Sequence, residues 1–339
     1  MLLSIIIPIY NVEQYIGTCF ESLFKQDLDY SLYEIIAVND GTPDNSMKIV
    51  EEYAEKYSNI KIVNKENGGV ASARNEGIRR ALGDFVIFVD PDDAISENSL
   101  LKIHQILVSN RVDILILRSF LMNSFTERYP WNKVCLPNIN IRGVDVFKIG
   151  YSRGSVCGGV YRKLFLEEKV LRFSDKLTNG EDSLFFNMAL MYASDVRFMD
   201  LPFYYISVRE GSASRDFDME RIFRFSENLK IVHDYLHTHA TLTDEQKAIL
   251  YYVQYSVISS AVNHYVKVGG FNYLLLKDKL LLRKVLPINV AGIHTQRLKI
   301  KLLNYSFFLY FFLYLFKNIV SSQKMAIDCN LYLRCEQKF

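Results

Sequence analysis

"GDFVIFVDPDDAISENSL", residues 83–100, sets five consecutive apolar residues, Phe85 to Val89, directly against three carboxylates, Asp90, Asp92 and Asp93, around Pro91. An apolar run of that length, rich in β-branched and aromatic side chains, predicts a strand buried on both faces. Carboxylates this close repel one another unless a cation, hydrogen-bond donors or water stabilises them. Two readings account for the cluster. Either Asp92 or Asp93 caps a helix starting near Ile95, with its dipole softening the charge, or the turn holds a divalent metal.

The residues before this stretch repeat its pattern. "SIIIPIY" (4–10), "YEIIAVND" (33–40) and "NIKIVNKE" (59–66) read as strands. "VEQYIGTCFESLFKQ" (12–26), a segment from about Asn45 to Tyr57, and "VASARNEGIRRALG" (70–83) read as helices. Strand alternating with helix at this spacing predicts an α/β fold with a doubly wound, mostly parallel central sheet. Ligands of such sheets lie at the carboxyl ends of the strands. The polar clusters "YN", "NDGTPDN", "NKENGG" and "DPDD" all fall there.

Composition narrows the function classes. The 339 residues are half hydrophobic and carry 40 Lys and Arg against 38 Asp and Glu, a net charge of +2, so nothing global indicates nucleic acid as a partner. The five cysteines, Cys19, Cys135, Cys157, Cys329 and Cys335, are scattered and form no Cys-x-x-Cys pair, which argues against a disulfide framework or a zinc knuckle. The N-terminus has no charged leader region or cleavage site, so a cytoplasmic location is expected.

From about Arg111 to Tyr205 the pattern is mixed, with "VDILIL" (112–117) a strand and "EDSLFFNMALMYA" (181–193) a helix. After about Asp218 the strand signals fade. Two long helical patterns follow, 219–240 and 243–268, the second opened by a capping box of Thr243 and Gln246. A boundary near residue 215 divides the chain into 1–215 and a mainly helical 216–339.

The clusters suggest chemistry residue by residue. Asp40 ends a strand where a ligand would lie, and its carboxylate suits a base N–H or a ribose hydroxyl, while Asp44 or Asn45 caps the next helix. Asn67, Gly68 and Gly69 let the backbone approach a ligand before a helix N-terminus, and Arg74 and Asn75 follow within two turns. The segment lacks the endings of a P-loop and of GxGxxG. Asp90 and Asp92 form an Asp-x-Asp pair of hard oxygen donors suited to Mg²⁺ or Mn²⁺. Glu181 and Asp182 open an apolar helix, as dipole partners or as a general base. His233 and His237, four apart, lack the Glu of HExxH and read as surface or core residues. "VREGSASRD" (208–216) supplies Arg209, Ser212, Ser214 and Arg215, in a solvated loop or one closing on phosphate.

Taken together, "SIIIPIYN", "NDGTPDNS", "NGGVASARNEGI", "FVDPDD" and "GED", in that order over roughly residues 3 to 215, resemble the family 2 glycosyltransferases of the GT-A fold. The resemblance implies a nucleotide-sugar donor, commonly UDP-linked, and an acceptor hydroxyl on a glycan or lipid-linked glycan in surface polysaccharide synthesis. By that resemblance Pro8, Tyr10 and Asn11 line the nucleotide pocket with Asn67 and Gly68. Asp40 contacts the base, Arg74 lies near the ribose or diphosphate, Asp90 contacts the ribose and Asp92 holds a Mn²⁺ or Mg²⁺ ion. Asp182 is the catalytic base and Glu181 supports it, giving inversion in one displacement. Asn39 and Thr42 stand where Asp and Ser are common, and Gly158 and Gly159 occupy a usually bulkier segment. A sugar-nucleotide nucleotidyltransferase is the first alternative, but "IPIYNVEQYIG" offers no Gly-rich loop with Arg and Lys. A non-catalytic sugar-nucleotide binder is the second, and it has no need of Asp182.

Between Lys267 and Lys301 eight Lys or Arg residues face one acid, Asp278, and "LLNYSFFLYFFLYLF" (302–316) follows. This apolar run is shorter than the roughly 20 residues needed to span a bilayer. It predicts peripheral contact with the cytoplasmic face of the inner membrane, or else a buried or homo-oligomer-forming helix.

Overall fold

The computed structural model describes residues 2–110, 112–122, 128–130, 140–151, 155–177, 180–208, 218–293 and 296–317. Arg209, Ser212, Ser214 and Arg215, like Cys135, Cys329 and Cys335, lie outside them. The chain divides into two compact units, Met1–Ser212 and Ala213–Phe339.

In the first unit the strands are β1 (Leu3–Ile9), β2 (Tyr33–Asn39), β3 (Ile60–Asn64), β4 (Phe85–Phe88), β5 (Ala94–Ile95), β6 (Ile114–Met122), β7 (Arg128–Pro130), β8 (Gly159–Arg162) and β9 (Val196–Ser207). Its helices are α1 (Ile16–Phe24), α2 (Ser46–Lys56), α3 (Gly69–Arg80), α4 (Leu100–Ser109), α5 (Gly143–Lys148), α6 (Lys163–Glu168) and α7 (Glu181–Tyr192). Among the described residues the strands form one sheet in the order β3-β2-β1-β4-β8-β6-β9-β5, with β7 on β6. The β3-β2-β1-β4 half is parallel, as the strand–helix alternation predicts. Beyond β4 the sheet is mixed: β8 runs antiparallel to β4 and β6, while β6 and β9 pair in parallel. All seven residues of β1 are buried, which explains its unbroken apolar run in place of an alternating one.

Chain direction within this sheet places the site. β1 is followed by β2 on one side and neighbours β4 on the other, so a crevice opens at the carboxyl end of β1 where the strand order reverses. Pro8 accentuates it. The Ile6 carbonyl accepts from Val89 N–H at 3.0 Å on the β4 side, two residues before Pro8, and the β1–β4 register ends at Ile6 and Phe88. Pro8 has no N–H to extend that ladder. The helix that borders the crevice, α3, lies close against β1, because a Cβ on Gly77 would come within 2.3 Å of Ile6 Cγ2. Glycine is therefore required there for packing, despite its poor helix propensity.

The expected helix near Ile95 does not form. Ala94 and Ile95 make the short strand β5 against β9, and α4 starts five residues later with Ser99 at its N-cap position. Asp92 and Asp93 therefore cap no helix.

The second unit holds α8 (Met219–Phe223), α9 (Phe225–Thr238), α10 (Asp244–Lys267), α11 (Tyr273–Lys279), α12 (Leu282–Val285) and α13 (Arg297–Tyr305), and residues 307–317 are helical as well. The single helical pattern of 219–240 is interrupted at Arg224. α10 opens with the expected reciprocal capping box of Thr243 and Gln246. No helix among the described residues is long and apolar enough to cross a membrane.

Candidate active site

Four strand ends and two helix starts supply the site residues. At the end of β2, Asp40 is 2% exposed, and its carboxylate accepts from Lys65 Nζ at 2.5 Å, Gly68 N–H at 3.0 Å and Gly69 N–H at 2.8 Å. The aspartate thus anchors the "NGG" loop at the N-terminus of α3. Gly41 has φ +69°, and a Cβ there would lie 3.0 Å from Asn67 N, so the two loops meet backbone to backbone. Asn39 and Thr42 fit this turn. Thr42 N–H donates to Asn39 Oδ1 at 3.0 Å, and Thr42 Oγ1 accepts from Asn11 N–H at 2.8 Å while donating to Asp44. Asp44 also accepts from Ser46 N–H at the start of α2, whereas Asn45 pairs with Glu13. Around this rim Tyr10, Asn11, Asn67 and Gly68 are exposed and Pro8 is buried beneath.

The second cluster is built on Arg74, in the second turn of α3. Its guanidinium is buried, with the side chain 3% exposed. Nη2 donates to Asp90 Oδ1 at 2.7 Å, and Nη1 donates to Glu181 Oε1 at 3.3 Å and to Asp182 Oδ1. The structure thus brings together residues 74, 90, 181 and 182, separated by up to 108 positions. Its placement differs from an arginine reaching for a diphosphate, because both Nη groups are held by carboxylates. Burial pushes the Asp182 carboxyl above its usual range, with Glu181 and Asp90 adding to the rise and Arg74 opposing it. Glu181 and Asp182 also sit in the first turn of α7, where the helix dipole favours negative charge.

In the "DPDD" turn the three aspartates have separate surroundings. Asp93 is buried, and it accepts from Tyr204 OH at 2.7 Å and from Ser207 N–H at 2.8 Å. Tyr204 OH in turn accepts from Asp90 N–H at 3.0 Å, and Asp93 N–H donates to Asp90 O. Asp93 is therefore a strut between the turn and β9. Burial, then the Asp90 and Asp92 charges, raise its carboxyl well above the ordinary range. Asp90 is 28% exposed on its side chain and Asp92 is partly buried, so both carboxylates remain near solvent. Among the described residues no three or more His, Cys, Asp or Glu side chains are arranged to hold a metal ion by themselves. The hard oxygens of Asp92 fit a Mg²⁺- or Mn²⁺-type ion that takes the rest of its shell from phosphates and water.

Several residues carry the site without a sequence signal of their own. Lys65 pairs with Asp40, and Tyr204 ties the acidic turn to β9. Asn75 donates to Phe173 O at 2.8 Å and accepts from Phe173 N–H at 2.9 Å. The Phe173 ring lies 5.3 Å from the Arg74 guanidinium carbon and stacks on Phe185 of α7 at 4.0 Å. His233 and His237 lie in the second unit with rings 4.1 Å apart and belong to no metal cluster among the described residues.

Comparison with known proteins agrees with this arrangement. Residues 4–168 match the family model for glycosyl transferase family 2. The chain is 33% identical over 204 residues to glycosyltransferase EpsJ of Bacillus subtilis, covering 59% of each protein. It is 30% identical over 217 residues to the poly(ribitol-phosphate) beta-glucosyltransferase of Bacillus spizizenii, covering 62% of this chain and 33% of that one. The chain thus spans less than two thirds of the length of these relatives. In fold it is similar to the crystal structure of S. aureus TarS 1-349 in complex with UDP-GlcNAc, with a TM-score of 0.69, 23% identity, and coverage of 88% of this chain and 83% of that one. Residues 4–168 thus form a glycosyl transferase family 2 domain, set in a GT-A fold.

Proposed function

We propose that the protein transfers a sugar, with inversion, from a UDP-sugar to a hydroxyl of a glycan or lipid-linked glycan in surface polysaccharide synthesis. The observation that carries the reading is the meeting of Asp90 and Asp182 on the single Arg74 guanidinium, at the crevice where the strand order reverses. The names of its relatives, a poly(ribitol-phosphate) beta-glucosyltransferase among them, support an acceptor of this class.

In this reading Pro8, Tyr10, Asn11, Asn67 and Gly68 hold the nucleotide over the loop anchored by Asp40, and Asp90 accepts from the ribose. Asp182 takes the proton of the acceptor hydroxyl as its oxygen attacks the anomeric carbon. The bond from that carbon to the β-phosphate oxygen breaks, and its electron pair leaves with UDP. Glu181, beside Asp182, supports the base. Asp92 would hold a divalent cation, which supplies positive charge for the departing diphosphate.

A panel of nucleotide sugars, assayed for binding and hydrolysis with and without Mn²⁺, tests the proposal; failure of every donor to bind would sink it. With the donor so identified, Asp92→Asn weakens its binding in Mn²⁺ by more than about tenfold, a loss that even indirect metal partners cause. Without metal the variant and the parent bind alike. Equal affinity in Mn²⁺ would remove Asp92 as the metal ligand.

The second unit supports contact with the cytoplasmic membrane face. In the helix of residues 307–317, Phe308, Leu309, Phe312, Leu313 and Phe316 are 43–69% exposed, while Phe307, Tyr310, Phe311 and Leu315 are buried on the other side. Nine Lys or Arg residues and one acid lie between Lys267 and Lys317. An apolar stripe in a basic segment matches an anionic lipid surface. The expected result is that the protein co-sediments with phosphatidylglycerol-containing vesicles and that Phe308→Asp with Phe312→Asp reduces the bound fraction. Undiminished binding of the double variant, or loss of the stripe into a lipid-free dimer, would count against lipid as its occupant.

A further inference from the structure

We propose that Arg74 is a positioning residue of the transfer reaction: one buried guanidinium fixes the donor-side carboxylate Asp90 and the base Asp182 in a single frame. The inference rests on the reading of Asp182 as the base, and it assigns Arg74 a task other than holding phosphate.

The geometry has three parts. First, the fork of the guanidinium divides its work, with Nη2 on Asp90 and Nη1 on Glu181 and Asp182. A planar five-donor group does this, whereas a lysine ammonium presents a single point of charge. Second, Arg74 is itself held. The close seating of α3 on β1 at Gly77 and Ile6 fixes the height of the helix. Phe173 packs beneath the guanidinium, clamped by Asn75 through two hydrogen bonds and stacked on Phe185 of α7, the helix that presents Asp182. The cation and the base are thus supported from one aromatic contact. Third, the engagement is selective: Nε is buried and has no hydrogen-bond acceptor, so the group is oriented for its carboxylates at the expense of its Nε donor.

The charges facing Asp182 define what this arrangement does. Arg74 faces it from α3, Glu181 from its own helix, Asp90 from the turn after β4, and the buried Cys157 thiol lies near from the segment before β8. Among these groups Arg74 supplies the positive charge, opposed by burial and by two carboxylates. Take it away, and Asp182 holds its proton to higher pH. The base would then be protonated, and unable to accept the acceptor's proton, over a wider range.

The test is the pH profile of donor hydrolysis, with water as acceptor and the nucleotide sugar identified in the panel, for the full chain and for Arg74→Gln and Arg74→Lys. In Arg74→Gln the acid limb of kcat moves up by about one to three pH units, the range by which a nearby guanidinium shifts an aspartate. The loss is therefore largest at neutral pH and diminishes in alkali. Arg74→Lys keeps a charge but loses the fork: kcat falls by about tenfold or more, with the donor KM within about twofold. A ligand-free readout is the ¹³C chemical shift of the Asp182 carboxyl carbon, assigned with Asp182→Asn, whose titration midpoint rises in Arg74→Gln. A purely structural arginine predicts the same fractional loss at every pH and an unmoved midpoint, and that result overturns the proposal. So does a parental kcat in Arg74→Lys, which also serves if Arg74→Gln does not fold. If Asp182→Asn transfers sugar normally, the base assignment fails; if it is inactive while the Arg74→Gln midpoint stays put, only the role of Arg74 fails.

Discussion

Replacing Asp182 by Asn is expected to leave nucleotide-sugar binding within about twofold of the parent and to lower transfer by about 10²–10⁴-fold, the contribution of a positioned general base. The residues proposed to hold the donor lie at the ends of β1, β2 and β4 and in the loop before α3, and their hydrogen bonds run to partners other than Asp182. Asn is nearly the same size as Asp, and its amide oxygen still accepts from Arg74, so α7 keeps its place. What is lost is the capacity to take a proton. Glu181 stands beside it and accepts from the same Nη1 at 3.3 Å, yet a carboxylate one residue along the helix projects in a different direction. Glu181→Gln therefore lowers transfer less than Asp182→Asn does. Calorimetric titration with the donor and product analysis with acceptor separate the two effects. Transfer near the parental rate by Asp182→Asn would exclude it as the base.

The parallel half of the sheet was legible because burial on both faces writes itself into β1, β2 and β4 as unbroken apolar runs, and because polar residues collect where those runs stop. Asp40, Asp90 and Asp92 could be singled out on the same grounds. Partners are a different matter. Periodicity reports that a residue is buried, not what it meets, and Asp93 shows the consequence. Its neighbours in sequence made it a helix cap, whereas the groups that hold it, Tyr204 and Ser207, lie more than a hundred residues away on β9. The same local view puts Arg74 near the ribose or diphosphate, whereas its carboxylate partners include two that are 107 and 108 positions distant. The mixed half of the sheet was obscure for a related reason: β5 has two residues and β8 has four, too few to show a period.

Asp113→Ala should be among the most destabilising single substitutions in the first unit, by about 3 kcal/mol, at the lower end of what removing one partner of a buried ion pair costs. Asp113 is 2% exposed at the foot of β6. Its carboxylate accepts from Arg162 Nη2 at 2.5 Å, Ser194 N–H at 2.8 Å, Ser194 Oγ at 2.9 Å and Asp195 N–H at 3.2 Å. One side chain thus joins the end of β8, the foot of β6 and the turn between α7 and β9. Alanine leaves the Arg162 guanidinium, whose Nε is already buried without an acceptor, facing a cavity. Burial pushes the Asp113 carboxyl upward, but the hydrogen bonds from Arg162 and Ser194 outweigh it and hold the group below the usual carboxylate range. A lowered native value means that the unfolded chain binds the proton first as pH falls. The stabilisation is therefore complete above the unfolded pKa of about 3.9 and is lost as pH falls through the native value. Urea denaturation of the parent, Asp113→Ala and Asp113→Asn checks this: the deficit of the Asn variant is constant from about pH 6 to 8 and shrinks below about pH 4. An equal deficit at pH 3 and pH 7 would show that packing, not charge, is what Asp113 contributes. Because this junction holds the far end of the helix that presents Asp182, Asp113→Ala also lowers transfer more than donor binding, which distinguishes loss of the α7 anchor from collapse of the nucleotide crevice.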